Sequence, residues 1–598
     1  MGSLGLPTPS GGAYSIMEQP ARTGRNLRII VIGCGASAIN FAHEVDTNTA
    51  LDLDLVCYDK NPSIGGTWFE NRYPGCGCDI PSVNYQFSWA PSAEWSCFYS
   101  SAPEILRYFK TVAEEHGLMK YMRLSSKVVD ARWNEEDSQW KVKIERLDGP
   151  AKGEVFEDQA HILINAGGVL NKWKWPAIPG RETFAGPMLH SANWDDSIQL
   201  EGKRVAVIGS GSSAVQIVPN IQPSTPSSLP NDRYLTSIVV GSLKCFIRSQ
   251  SWVTASFGQR FAGKGGTNFK YTPEQKHILR TDPHKYLLYR KKIESELNSR
   301  FRFILNGSKE QADARAAAEK DMRTRLAKKP HLADLLIPTN FAVGCRRPTP
   351  GAGYLEALCE DNVSVVSQTI EQITPKGIRT ADGVEHEVDV IVCATGFDVS
   401  WKPAYPTIGR DGRSLAEEWK ERPSTYLSIA VEGFPNYLIF NGPYGPYGHG
   451  SFLPITETLS RHFMLMLRKL AQESISTFCV KASAVSDFAL HRRTFLPRTA
   501  WNSPCRSWFK GGTVDGEIMM WPGSRIHFFE TMREPRWEDY ELTYVAGNRF
   551  AYLGNGFAER ETVGDGRDLT WYLGFVDGVD RQPVEELRDE RFAEFMVQ

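Results

Sequence analysis

Two short apolar runs set the frame of the chain. Residues 27–32 read Leu-Arg-Ile-Ile-Val-Ile and run into Gly33-Cys-Gly35-Ala-Ser37-Ala38. The same grammar returns 176 residues later, where Arg-Val-Ala-Val-Ile at 204–208 runs into Gly209-Ser210-Gly211-Ser212-Ser213-Ala214. An apolar run of this length that ends in glycine predicts a strand buried on both faces, and the small residues after it open a helix. Residues 54–58 predict the next strand of the first unit, closed by Asp59. Residues 388–393 predict another, just ahead of Ala394-Thr395-Gly396. A Pro/Ser-rich stretch at 222–230 delays the strand after the second turn, which is expected within 236–247. Between 256 and 335 the pattern changes to a helical period. Thr272-Pro273-Glu274-Gln275 is a capping box with proline at the first helical position, and Tyr286, Tyr289, Ile293, Leu297 and Phe301 recur every three or four residues. Ser308 to Gln311 opens a further helix through Arg323 that stops before Pro330.

The glycine turns carry chemistry as well as shape. In Gly-x-Gly-x-x-Ala the first glycine permits the turn and the second lets backbone approach a pyrophosphate. The small third residue lets helix and strand pack closely. The phosphates then rest on free N–H groups at the helix N-terminus. The fold class this predicts is α/β, with two Rossmann-like dinucleotide-binding domains and an inserted helical subdomain. Asp59, at the end of the second strand, is placed to accept hydrogen bonds from a ribose. The second unit has no acidic residue there; its strand ends at Arg248-Ser249, and a cation suits a 2′-phosphate, hence NADP.

Composition removes other classes. The 598 residues carry 68 Lys+Arg against 70 Asp+Glu, a formal charge of −2, so there is no polybasic footprint for nucleic acid. No stretch approaches the roughly 18 apolar residues of a transmembrane helix, and the Gly/Ser/Pro-rich first 26 residues lack a signal-peptide core. Eleven cysteines without a double CxxC argue against zinc and for reduced thiols in a cytoplasmic enzyme. The expected assembly is a monomer or weak homodimer.

Between the turns lies Gly65-Gly66-Thr67-Trp68, followed by Asn71-Arg72-Tyr73-Pro74-Gly75 and Cys78-Asp79. Phe184-x-Gly186, then His190 and Trp194-Asp195, precede the second turn. With Ala394-Thr395-Gly396, these blocks closely resemble the Baeyer–Villiger monooxygenases, flavoproteins of the class B group. The insertion near 222–238 and the tail after 530 resemble the family's fungal branch and its secondary metabolism. The resemblance implies FAD and NADPH as cofactors and O2 as co-substrate. The substrate would be a ketone, bulky or polycyclic, converted to an ester or lactone through a C4a-peroxyflavin. The alternative is a class B N- or S-oxygenating monooxygenase. It implies Arg347, within Gly344-Cys345-Arg346-Arg347, as the catalytic cation and Asp79 as its partner. Taken alone, Asp79 is a loop cap and the adjacent arginines a solvated pair.

The residues expected to contact cofactors around the first turn are Gly33, Gly35, Ser37, Ala38, Asp59, Gly66, Thr67, Trp68, Cys78, Asp79, Tyr85 and Val128. Around the second they are Gly209, Ser210, Gly211, Ser212, Ser213, Ala214, Gln216, Arg248, Ser249, Arg346 and Trp508, the last on a loop that folds over NADP. No metal site is expected. His190 is expected at the linker as a hinge residue outside the chemistry. The expected boundaries are a flexible segment at 1–26, an FAD domain at 27–180 and 395–530, and an NADP domain at 200–255 and 336–390. The helical subdomain takes 256–335, and a C-terminal extension at 531–598 packs on the FAD domain.

Overall fold

The computed structural model describes residues 14–222, 239–448, 450–562 and 569–574. The strand Leu27–Ile32 lies at the centre of a parallel sheet, between Leu53–Tyr58 and Ile162–Asn165. Met122–Arg123 extends that sheet on one side and Tyr437–Ile439 on the other. Its central strand is apolar because both faces are covered, one by helices and the other by the antiparallel sheet of Ser126–Asn134, Gln139–Arg146 and Val155–Ala160, and Leu27, Ile29, Ile30 and Val31 are wholly buried. Helix Ala36–Thr47 forms the first crossover and packs against the long helix Leu453–Gln472.

The second sheet repeats the design around Arg204–Ile208. Ser242–Phe246 and Val390–Cys393 flank it, with Val363–Val366 and Met188–His190 at the edges, all parallel. The strand after the second turn therefore begins beyond the Pro/Ser-rich insertion and falls inside the expected window. The insertion itself, from 223 to 238, lies outside the described residues. The chain enters the second unit near His190 and leaves it at Ala394, so that unit is nested inside the first.

The helical stretch forms as its period dictates. Thr272 Oγ1 accepts from Gln275 N at 3.2 Å while Gln275 Oε1 accepts from Thr272 N at 2.8 Å, closing the capping box. Pro283 interrupts the run, so two helices form, Pro273–Thr281 and Pro283–Ser299. Tyr286, Ile293 and Leu297 are buried on the face the spacing indicated. Ser308 caps the next helix, Lys309–Arg325, accepting from Gln311 N at 3.0 Å.

The chain's ends correct one expectation. Residues 19–25, read as part of a flexible leader, are held by hydrogen bonds. Ala21 N donates to Phe557 O at 2.7 Å, and Arg25 Nη2 to Ile475 O at 2.8 Å. Phe557 belongs to the C-terminal extension, and Ile475 to the strand Ile475–Val480, with which the extension's strand Tyr540–Tyr544 pairs antiparallel. Residues 1–13 and 575–598 lie outside the described residues. No described helix is long and apolar enough to cross a membrane.

Candidate functional site

The two glycine turns are built alike. Gly33 has φ +109° and Gly209 φ +124°, values that favour glycine. A Cβ would stand 2.6 Å from Ala166 O at the first and 2.4 Å from Ala394 O at the second. Gly35 and Gly211 then serve as N-caps in extended conformation, with no side-chain cap on either helix. A Cβ on Gly211 would meet nothing within 4 Å. Two helix N-termini without a side-chain cap, the second with open space before it and the first with the Gly66 backbone 3.7 Å from the Gly35 Cβ position, fit two dinucleotide pyrophosphates. Among the described residues no cluster of His, Cys, Asp or Glu could hold a metal.

Around the first turn, Ser37 and Ala38 are buried in the helix, and Gly66 packs so closely that its Cβ position lies 3.2 Å from Gly35 Cα. Thr67 opens the helix Thr67–Glu70. Asp59 is 8% exposed and accepts from Cys34 N at 2.7 Å and Asn61 N at 2.8 Å. Burial nonetheless raises its pKa. The carboxylate thus braces the turn, and each oxygen keeps a second lone pair. Trp68 Nε1 donates to Tyr85 OH at 3.2 Å, and Trp68 packs against the cores of both domains. Cys78 is half-buried with its thiol pushed up by burial, and Cys76 and Cys78 remain separate thiols. The Val128 side chain is in the core of the adjoining antiparallel sheet.

Around the second turn, Ala214 is buried while Gly211 and Ser212 stay open to solvent. Ser210 Oγ lies 3.5 Å from Ser249 O, and Arg248 stands exposed beside them, two residues past the strand Ser242–Phe246. Ser213 and Gln216 face Tyr73, in the loop that ends at Asp79.

Asp79 and Arg347 meet at the boundary between the two domains. Arg347 Nη2 donates to Asp79 Oδ1 at 2.8 Å and to Oδ2 at 3.1 Å, and each side chain is 27% exposed. Burial works to lower the arginine's pKa, but the Asp79 charge and hydrogen bonds outweigh it and the net shift is upward. The guanidinium also stands over the Phe257 ring, 5.3 Å from its centroid. Sequence reasoning missed Phe257, which no motif marks. Arg346 lies over Phe341 with its Nε buried and unpartnered. Burial lowers its pKa. Lys510 lies close enough that Arg346 adds to the burial that lowers the lysine's pKa.

The cysteine reading needs correction. Cys345 and Cys505 form a disulfide across 160 residues, so the chain does not carry reduced thiols alone. The bond joins the Arg346-Arg347 segment to the loop bearing Trp508. That indole stacks at an angle on Tyr447 at 5.9 Å, and Tyr447 on Trp401 at 5.5 Å. His190 is fully buried and stacked on Trp173 at 4.6 Å, and its Nε2 lies 3.3 Å from Thr395 Oγ1. Both domain linkers therefore meet at this imidazole, which burial lowers to a pKa of about 4.

Residues 26–229 match the family described as flavin-binding monooxygenase-like. The FAD-binding monooxygenase tazF of Aspergillus terreus is 39% identical over 560 residues, covering 93% of this chain and 96% of tazF. The chain belongs to the flavin-binding monooxygenases. A Baeyer–Villiger monooxygenase of Streptomyces coelicolor is 30% identical over 92% of this chain and 98% of its own length. Among solved structures, an oxidized steroid monooxygenase bound to NADP superposes with TM-score 0.70 at 26% identity, covering 85% of this chain and 97% of that one. This flavin-binding monooxygenase thus stands in the class B group beside Baeyer–Villiger enzymes, on a branch with fungal members. Both glycine turns, the nested second domain and the Asp79–Arg347 pair sit on that scaffold.

Proposed function

We propose that the enzyme holds FAD at the first turn and NADPH at the second, and uses O2 to convert a ketone into an ester or lactone. The observation that carries this reading is the Asp79–Arg347 pair, held where the two dinucleotide domains meet. Bound flavin, once reduced by NADPH, supplies the activation of O2. The chain's own residues supply position, charge and dryness. Arg347 offers a guanidinium to the ketone oxygen as negative charge grows there. Asp79 fixes that guanidinium and moderates its charge. Arg248 and Arg346 supply cations for the 2′-phosphate of NADPH, with no ion pair to a carboxylate among the described residues. Trp68, Tyr85 and the Trp508 loop present apolar walls that keep water from the reacting atoms.

The substrate is a bulky, ring-bearing ketone. The half-buried Trp508 indole, backed by the buried Tyr447 and on a loop tied by the disulfide to the segment holding Arg347, supports a flat apolar partner. The test is a panel of monocyclic and polycyclic ketones, amines and sulfides, incubated with the flavin-loaded enzyme, NADPH and air. Mass gain of one oxygen with a new ester carbonyl from polycyclic ketones is the expected result. Oxygenated amines or sulfides with no ester would overturn the reaction, and a preference for small ketones would overturn the substrate size.

A further inference from the structure

The loop that ends at Asp79 is sewn to the helix that begins at the second glycine turn. Tyr73 OH donates to Gln216 Oε1 at 2.8 Å, and Gln216 Nε2 donates to Gly77 O at 2.9 Å, two residues before Asp79. The Ser213 side chain, in the first turn of the same helix, lies beside the Tyr73 hydroxyl. Gln216 therefore spends both ends of its amide on this loop. The fit is close, since a Cβ on Gly75 would stand 2.7 Å from Gln216 O and 2.1 Å from Asn220 Nδ2. On its other side the loop is fixed to the first domain: Cys78 N donates to Ser100 O at 3.0 Å and Ala102 N to Cys76 O at 2.8 Å. One short loop thus receives constraints from both domains, and Asp79 is its last residue.

We propose that Gln216 is a positioning residue which, through Tyr73 and Gly77, couples occupation of the NADP turn to the placement of Asp79 against Arg347. The helix Ser212–Ile221 takes its position from whatever its N-terminus binds. Gln216, one turn along, passes that position to the Asp79 loop. The coupling rests on the FAD and NADPH assignment above but not on the identity of the organic substrate. Its element is local: two hydrogen bonds that form together when the domains are in register.

The experiment compares flavin-loaded wild type with Gln216→Leu, Tyr73→Phe and the double variant, with no organic substrate present. Three quantities are read: NADP+ affinity from the flavin absorbance change, the rate of hydrogen peroxide release with NADPH in air, and the thermal midpoint. Tyr73→Phe is expected to release peroxide about tenfold faster, the scale of one lost hydrogen bond, and Gln216→Leu, which loses two, faster still. The double variant should release it no faster than Gln216→Leu, because the two residues act in series. Gln216→Glu keeps the acceptor for Tyr73 and loses the donor to Gly77, so it should fall between. Tyr73→Phe with wild-type peroxide release, alongside Gln216→Leu with only weakened NADP+ affinity, would mean that Gln216 touches the dinucleotide directly and would overturn the coupling. A lower thermal midpoint with unchanged peroxide release would reduce both residues to structure and overturn it too. A wild type that oxidises no NADPH overturns the cofactor assignment instead.

Discussion

Asp79 meets Arg347 through a single guanidinium nitrogen: both carboxylate oxygens accept from Nη2, at 2.8 and 3.1 Å. Nε and Nη1 make no hydrogen bond to the described residues, so two edges of the cation remain for a ligand. That geometry predicts the phenotype of Arg347→Ala. The variant should retain flavin and still oxidise NADPH, because neither glycine turn depends on it. Product should fall by roughly 100- to 1000-fold, the loss of one preorganised donor at a developing oxyanion. Ester formation near the wild-type rate in single-turnover product analysis would remove Arg347 from the chemistry.

Asp79→Ala separates anchoring from loop capping. A cap would cost about 1 kcal/mol of stability and leave oxygen use coupled to product. An anchor leaves the charge of Arg347 in place but frees its position. The expected outcome is slow NADPH oxidation with hydrogen peroxide in place of ester. The measurement is the ratio of ester to NADPH consumed, with peroxide assayed in parallel; a fully coupled variant would show that Arg347 has another anchor.

Preference for NADPH over NADH tests the second turn. Arg248 stands exposed two residues past the strand beside Gly209, where a 2′-phosphate would lie. Arg248→Glu should raise KM for NADPH far more than for NADH, by about tenfold or more for a lost charge-assisted contact. Equal use of the two nicotinamides by the unmodified enzyme would refute the assignment.

What could be read from the chain and what could not differ by physical cause. Gly33 and Gly209 were legible because a positive φ against a neighbouring carbonyl leaves one residue type, and the apolar runs before them declare buried parallel strands. The Thr272 capping box was legible because both partners lie within four residues. The Asp79–Arg347 pair spans 268 residues, and no local pattern connects them; only the likeness of the surrounding blocks did. Cys345 and Cys505 were misread because counting cysteines reports a compartment, not which two side chains the fold brings together. The bond between Gln216 and Tyr73 spans 143 residues, and no local pattern connects them either.

The buried His190 predicts a pH dependence of stability. Its imidazole is lowered to about 4 by burial, and His462 likewise. In the unfolded chain each titrates near about 6.5. Above that pH both states are neutral and nothing changes. Between there and 4 the unfolded state binds a proton that the folded state refuses, so stability falls as pH drops, by up to about 1.4 kcal/mol per pH unit for each histidine. Below 4 the folded state is protonated too and the decline ends. His190→Gln can still bond Thr395 and should flatten the slope of urea-unfolding stability by one proton. An unchanged slope would mean that His190 carries its charge in the fold.

The Cys345–Cys505 bond joins two segments that both belong to the site, so its loss should be felt in stability and in the loop together. Both sulfurs are buried, with Cys345 0% and Cys505 2% exposed. The bond closes a long loop, and removing such a link costs roughly 2–4 kcal/mol of stability, chiefly through the greater freedom of the unfolded chain. Cys505→Ser should therefore unfold at lower denaturant. Dithiothreitol should lower the thermal midpoint of the wild type toward that of the variant and leave the variant unchanged. Because the sulfurs are covered, reduction of the native protein should be slow and should accelerate in mild denaturant, as local opening exposes them. The same release frees the Trp508 loop from the Arg346-Arg347 segment. The reduced enzyme should then hold NADP+ more weakly while its flavin absorbance stays unchanged, since the first glycine turn lies outside both segments that the bond joins. The bond itself is checked by alkylating the denatured chain, which should take up two fewer groups before reduction than after. Equal uptake would show that the thiols stay apart, and the two segments would then be held only by packing around them.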